Sequence, residues 1–337
     1  MHRALLLILL LAFSSILSAV ELPSPVDIKY KNKNPALYAR FDEARSLLDG
    51  WRGQQEILSK AYQILSEITT SDRDYAPAYR EFGRLYIMAG YINRDNFEPG
   101  GLRRSESVIL KSIQIEPNYA DAYVLLGHLY TQMGRYDEAK AALEKGEKIG
   151  TVSPWLHLNW ADLLREQGDE QKALQRYLEV INAGTENKKA FGTAIEGVIR
   201  YFEGVGQYDK ADDWYKKQLA YEPSNAWAWG NYASFLLFSR GDAENAIKNA
   251  ETAISIMDYG MGRFILACAL YTKWTAALKN NSKIEAAQAL FDRAYKLYPD
   301  IDSVIDETMK HASTKETATK LAEHKRRFLT KPALRNG

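Results

Sequence analysis

The chain has 337 residues, 46% of them hydrophobic and 26% charged, with 44 Lys and Arg against 43 Asp and Glu. This composition excludes a disordered or collagen-like chain and leaves room for a sizeable core. A near-neutral balance gives no electrostatic ground for bulk binding to nucleic acid or to an anionic membrane. A lone cysteine, Cys268, excludes an intramolecular disulfide and a cysteine-ligated zinc cluster.

In chain order, residues 1–19 read as a signal peptide. Arg3 precedes an apolar run from Ala4 to Leu17, and the small residues Ser18 and Ala19 follow. The expected localisation is therefore periplasmic or secreted, with no direct membrane span after cleavage. The run is shorter than the ~20 residues that cross a bilayer, which leaves an uncleaved membrane anchor as the second reading. Cleavage after Ala19 removes Arg3 and no acid, so that basic and acidic residues become equal in number. Residues 20–35, with prolines, lysines and no periodicity, predict an extended leader.

Residues 36–70 predict a first helix pair, with Leu37, Phe41, Ala44 and Leu48 facing Ile57, Ala61, Leu65 and Ile68. From there a small residue recurs at Ala61, Ser105, Ala139, Ala173, Ala211, Ala246 and Ala287, and a larger one follows four residues later at Leu65, Ile109, Leu143, Tyr177, Tyr215, Ala250 and Phe291. The preceding helix carries a second small slot at Gly83, Gly127, Ala161, Ala233 and Cys268, which predicts Cys268 to be a buried packing residue. Asn118–Gly150 is the best-formed copy. Two amphipathic helices, Ala120–Met133 and Tyr136–Ile149, flank Gly134, and Pro117 stands just before the first. Residues 190–206 are the weakest copy, where the register is open by one helical turn. Gly90–Arg104 carries the longest excess over the period and reads as a tolerated insertion. After Pro299 two further stripes, Ile301 to Ala312 and Ala318 to Leu329, predict capping helices within 301–329, and residues 330–337 read as a disordered tail.

The order of aromatic, Leu-Gly, Tyr, Ala and a closing Pro in this period resembles the tetratricopeptide repeat family. That resemblance covers roughly residues 36–300. It implies an all-α fold, a right-handed solenoid of stacked antiparallel helix pairs, with one domain over 36–329 and six to seven repeats. It also implies a concave groove lined by the first helix of each pair, at repeat positions that fall here on Arg80, Arg84, Val124, His128, Trp155, Asp162, Arg165, Glu196, Arg200, Trp227 and Phe238. The Lys and Asn clamp with which some members hold carboxyl-terminal tails is absent: Arg80, Arg84, Leu125, Trp155 and Asn159 stand in its slots.

No phosphate-binding glycine loop, serine elbow or HExxH helix is present, and Gly204-Val205-Gly206 lacks a preceding strand and a third glycine. No catalytic residue, metal site or cofactor is expected. The mixed charges and aromatics of these groove positions suit an extended or helical peptide. The expectation is thus a non-catalytic scaffold for a protein or peptide partner, in an envelope or secretory-compartment assembly, with no nucleic-acid partner. Two other readings stay open: an accessory carbohydrate- or small-molecule-binding protein of an enzyme complex, and a self-associating structural protein.

Overall fold

The computed structural model describes residues 23–51, 53–93, 96–279 and 284–310. The predicted signal peptide, the second capping stripe and the tail lie outside them. Contacts divide the chain into two compact units, one up to Val198 and one from Ile199 onward.

The first unit contains α1 (Pro25–Lys33), α2 (Pro35–Gly50), α3 (Gln55–Ser71), α4 (Ala76–Gly90), α5 (Pro99–Ile115), α6 (Ala120–Gln132), α7 (Tyr136–Ile149), α8 (Trp155–Glu166), α9 (Glu170–Ala183) and the start of α10 (Lys188–Gly204). A two-stranded antiparallel pair, β1 (Tyr91–Asn93) and β2 (Asn96–Phe97), takes up the insertion between α4 and α5. The second unit contains the rest of α10, then α11 (Tyr208–Tyr221), α12 (Ala226–Phe238), α13 (Ala243–Ile256), α14 (Gly260–Lys279), α15 (Ile284–Leu297) and α16 (Ile301–Lys310).

The repeat grammar sets the packing. Ala61, Ser105, Ala139, Ala173, Ala211 and Ala246 are all buried, and so are Leu65, Ile109, Leu143, Tyr177, Tyr215 and Ala250 one turn on. The small slots on the first helices are where the two helices of a pair cross. A Cβ on Gly127 would lie 2.5 Å from Leu143 Cγ and 3.3 Å from the Ala139 carbonyl oxygen, so only hydrogen fits there. The same geometry seats Gly83 on Ile109. Cys268 occupies this slot in α14, fully buried, its Sγ 3.9 Å from the Val304 carbonyl oxygen of α16. Burial in apolar surroundings pushes its thiol up to about 12, as expected of a packing residue.

Within the first unit the first helices touch in series, α2 with α4, α4 with α6 and α6 with α8, and the second helices of successive pairs meet far less. The first-helix layer is therefore the tighter one. Two buried hydroxyls tie the layers together: Ser105 Oγ donates to the Gly83 carbonyl at 2.9 Å, and Ser112 Oγ to the Ala76 carbonyl at 2.8 Å. In the second unit α12 meets α14, and α14 meets α16, whose Val304, Ile305 and Thr308 are buried as the capping stripe predicts.

The leader differs from its extended reading. Pro25–Lys33 is a helix, begun by Ser24, whose side chain accepts from the Asp27 amide with Pro25 in the first turn. It is ended by Asn34, whose side chain in turn caps α2 by accepting from the Leu37 amide. The leader shows no long apolar stripe because it buries only Val26, Asp27 and Tyr30, one of them charged.

Candidate functional site

The first-helix face of the first unit carries most of the residues that repeat counting selects, and the structure sorts them into three groups.

At α4, Arg80 and Arg84 are held by one carboxylate. Glu81 is fully buried; its Oε1 pairs with Arg80 Nη2, and its Oε2 accepts from Arg84 Nη1 at 2.9 Å. Arg84 Nη2 also donates to Asp49 Oδ1 of α2 at 2.7 Å, and the Arg80 guanidinium lies over the Tyr119 ring with its centroid 5.7 Å away. Asp27 of α1 completes the cluster. It is buried, accepts from the Tyr119 hydroxyl at 2.9 Å, and has Arg45 Nη1 at 3.7 Å. Burial raises the Asp27 carboxyl above its ordinary value, against the pull of Arg80 and of the Tyr119 hydrogen bond. The two arginines are thus partly covered members of an ion network, engaged with residues of the chain itself on the face that sequence counting selected. Asp27, Arg45, Glu81 and Tyr119, which complete that network, were not selected from the sequence.

At α6 and α8 the face is half-covered. Val124 sits in the core, its carbonyl accepting from Asn159 Nδ2 at 3.0 Å, so it lines no open surface. His128 is partly covered, and its Nδ1 is buried; burial holds the imidazole below its ordinary range, opposed by the charge of Asp162. Asp162 in turn accepts from the Tyr177 hydroxyl at 3.1 Å. Arg165 pairs with its neighbour Glu166 at 2.7 Å, and Trp155 packs half-buried against the core cluster that holds Leu156 and Trp160. Glu196 of α10 is half-covered in this unit.

Arg200, Trp227 and Phe238 belong to the second unit. Arg200 and Phe238 are half-covered. Trp227, at the start of α12, is 49% exposed and packs on Tyr259 with ring centroids 4.4 Å apart. Tyr259 lies across Gly230, where a Cβ would meet its hydroxyl at 2.0 Å, and that hydroxyl donates to the Ala226 carbonyl at 3.3 Å. Met257 and Met261, on either side of Tyr259 in sequence, are exposed as well. Gly230 is therefore a seat for an aromatic shelf. The sequence signal for Tyr259 was the glycine one turn beyond the tryptophan at the start of α12, where a first helix otherwise carries bulk.

Among the described residues no group of three or more His, Cys, Asp or Glu could hold a metal ion, and no helix is long and apolar enough to cross a membrane.

Residues 120–149 match the family model of the tetratricopeptide repeat. Those residues form a tetratricopeptide repeat. Over 69 residues, which is 20% of this chain and 13% of the bovine protein, the chain is 32% identical to the BBSome complex member BBS4 of Bos taurus. A chain in the crystal structure of the APC/C hetero-tetramer Cut9-Hcn1 superposes with a TM-score of 0.53 at 16% identity, covering 72% of this chain and 48% of that one. The pilF structure from Pseudomonas aeruginosa gives 0.49 at 17% identity, covering 68% of this chain and 95% of that one. The chain thus spans a small part of its bovine relative and about half of the Cut9-Hcn1 chain, and the likeness to the latter concerns the fold alone.

Proposed function

We propose that this chain is a non-catalytic interaction scaffold that holds a segment of a partner protein on the first-helix faces of its repeats. The observation that carries the reading is the Trp227–Tyr259 shelf with Met257 and Met261 beside it. An exposed tryptophan held rigid by a second ring, next to adaptable methionines, offers contact area at little entropic cost to a binder. The first unit supports the same reading differently, since His128, Trp155, Asp162, Arg165 and Glu196 are each half-covered and keep part of a polar or aromatic side chain open. A tetratricopeptide repeat that keeps its first helices in the tighter layer leaves these side chains on the inside of the stack.

The apolar opening of the sequence supports a place in an exported or envelope assembly, which fractionation with mass determination of the amino terminus tests: an exported chain starting at Val20 is expected, and a chain that retains residues 1–19 and is found free in the cytoplasm would remove the claim. Thermal-shift screening of the purified chain against peptides and sugars tests the scaffold reading itself. Stabilisation by peptides is expected, and stabilisation by sugars alone would replace it with the carbohydrate-binding reading.

A further inference from the structure

α1 packs beside α2, with Val26 and Tyr30 in the core of the first unit, and from there its polar side chains reach across successive repeat junctions. An end cap of a solenoid covers the outermost pair alone. The Tyr30 hydroxyl donates to the Asp74 carbonyl at 2.7 Å and lies 3.2 Å from Glu116 Oε1, and the Tyr30 ring meets Tyr75 edge-on with centroids 4.7 Å apart. Asp27 reaches Tyr119, at the start of α6. These contacts join residues 44 to 92 positions apart in sequence.

The junctions it crosses are copies of one another. Before α4 stands Asp72-Arg73-Asp74-Tyr75, and before α6 Glu116-Pro117-Asn118-Tyr119. In each, the acidic residue closes the preceding helix, its amide donating to the carbonyl four residues back at 2.8 and 3.0 Å. The tyrosine amide then donates to the acidic residue's carbonyl at 3.2 and 3.0 Å. The repeat period therefore presents an acid and a buried tyrosine twice on one line. α1 answers with its own period: Lys33 pairs with Asp72 at 2.8 Å, and Lys29, one helical turn earlier, pairs with Glu116. A cleft lined by Ser24, Pro25 and Val26 then continues the line past Tyr119 to Lys145 and Lys148 of α7.

We propose that this line of junctions is a recognition site for a helical peptide carrying Asp, Lys, Tyr and Lys in the spacing of Asp27, Lys29, Tyr30 and Lys33, and that the chain fills it in cis with its own leader. The inference rests on the scaffold reading for its purpose, and its test is independent of any outside partner. A tethered occupant holds the site at millimolar effective concentration, so a free peptide is excluded while α1 is seated. Asn34, alone between α1 and α2, is the hinge on which the leader leaves.

Lys29 and Lys33 are 61% and 56% exposed, so reversing them opposes seating without disturbing the core. The experiment uses the full chain and a fluorescent peptide of residues 24–34, read by anisotropy, with hydrogen exchange reporting on α1. The expected result for K29E/K33E is faster exchange in α1, an unchanged helical spectrum, and binding of the peptide at least about tenfold tighter than by the parent chain. A peptide carrying the same reversals is expected not to bind. Tyr30→Ala, which removes the ring between Tyr75 and Asp74, provides a second open chain. Equal binding by parent and both open chains, or equal binding of the reversed peptide, would overturn the proposal. So would both variants unfolding the whole unit, since α1 would then be an integral cap. None of these outcomes bears on partner capture at Trp227, which the scaffold reading requires separately.

Discussion

Replacing Gly127 by alanine sets two effects of opposite sign against each other. In an exposed helix the change would stabilise by about 1 kcal/mol through backbone entropy. At the crossing of α6 and α7 the new carbon would stand 2.5 Å from Leu143 Cγ and 2.6 Å from Cδ2, where carbon atoms rest at about 3.5 to 4.0 Å. Leu143 is fully buried and the third neighbour is backbone, so relief requires that the helices part. Overpacking of this kind costs about 1 to 3 kcal/mol, which exceeds the helix gain and leaves a net loss of about 1 kcal/mol. Leu143→Ala alone should lose about 2 to 5 kcal/mol by leaving a cavity. In the double variant the added methyl enters the space the leucine vacates, so the combined loss should fall short of the sum by about 1 kcal/mol or more. Urea denaturation followed by circular dichroism, with midpoints compared at constant slope, measures all three. Gly204→Ala, whose Cβ would meet nothing within 4 Å, is the control, and a gain of a few tenths of a kcal/mol is expected there. A Gly127→Ala chain as stable as that control, with effects additive to Leu143→Ala, would refute the crossing geometry.

The buried thiol of Cys268 should resist a thiol reagent at pH 8 in the folded chain and react fully in denaturant; rapid labelling of the folded chain would contradict the α14–α16 packing. Ser112→Ala should cost about 1 kcal/mol in urea unfolding, because the Ala76 carbonyl loses its buried donor, and Ser112→Thr should not restore it in the space available. Asp27 has a folded value above its ordinary one, so its contribution to stability is full below about pH 4 and is lost as pH rises through the folded value. Asp27→Asn keeps an oxygen to accept from Tyr119 and should flatten that part of the pH profile of unfolding; an unchanged profile would show that Asp27 is not the group that titrates there.

The helix pairs were legible because close crossing demands a small residue at a fixed place in every repeat, and a demand made seven times is visible in one sequence. Ala139 and Leu143 with Gly127 were enough to define it. The leader was not legible by that rule, since α1 buries only Val26, Asp27 and Tyr30, too few to set a periodic apolar stripe. Its signals were local ones, Ser24-Pro25 at the start and Asn34-Pro35 at the stop. Site residues fared worse for a related reason. Counting along a repeat gives the direction a side chain leaves its helix but not what meets it there. Arg80 and Arg84 leave α4 as counted and end on Glu81, Asp49 and the Tyr119 ring. Val124 leaves α6 as counted and is covered. Trp227 keeps its exposure because Tyr259, its hydroxyl end seated at Gly230, packs against it from one side.

The scaffold reading turns on whether that shelf takes a peptide. Selecting peptides from a displayed library on the purified full chain, then measuring the enriched sequences against Trp227→Ala, tests it directly. The chain should enrich peptides whose affinity falls about tenfold or more with the substitution, at an unchanged helical spectrum. Failure to enrich any peptide, or enriched peptides that bind the Trp227→Ala chain as well as the parent, would contradict the claim.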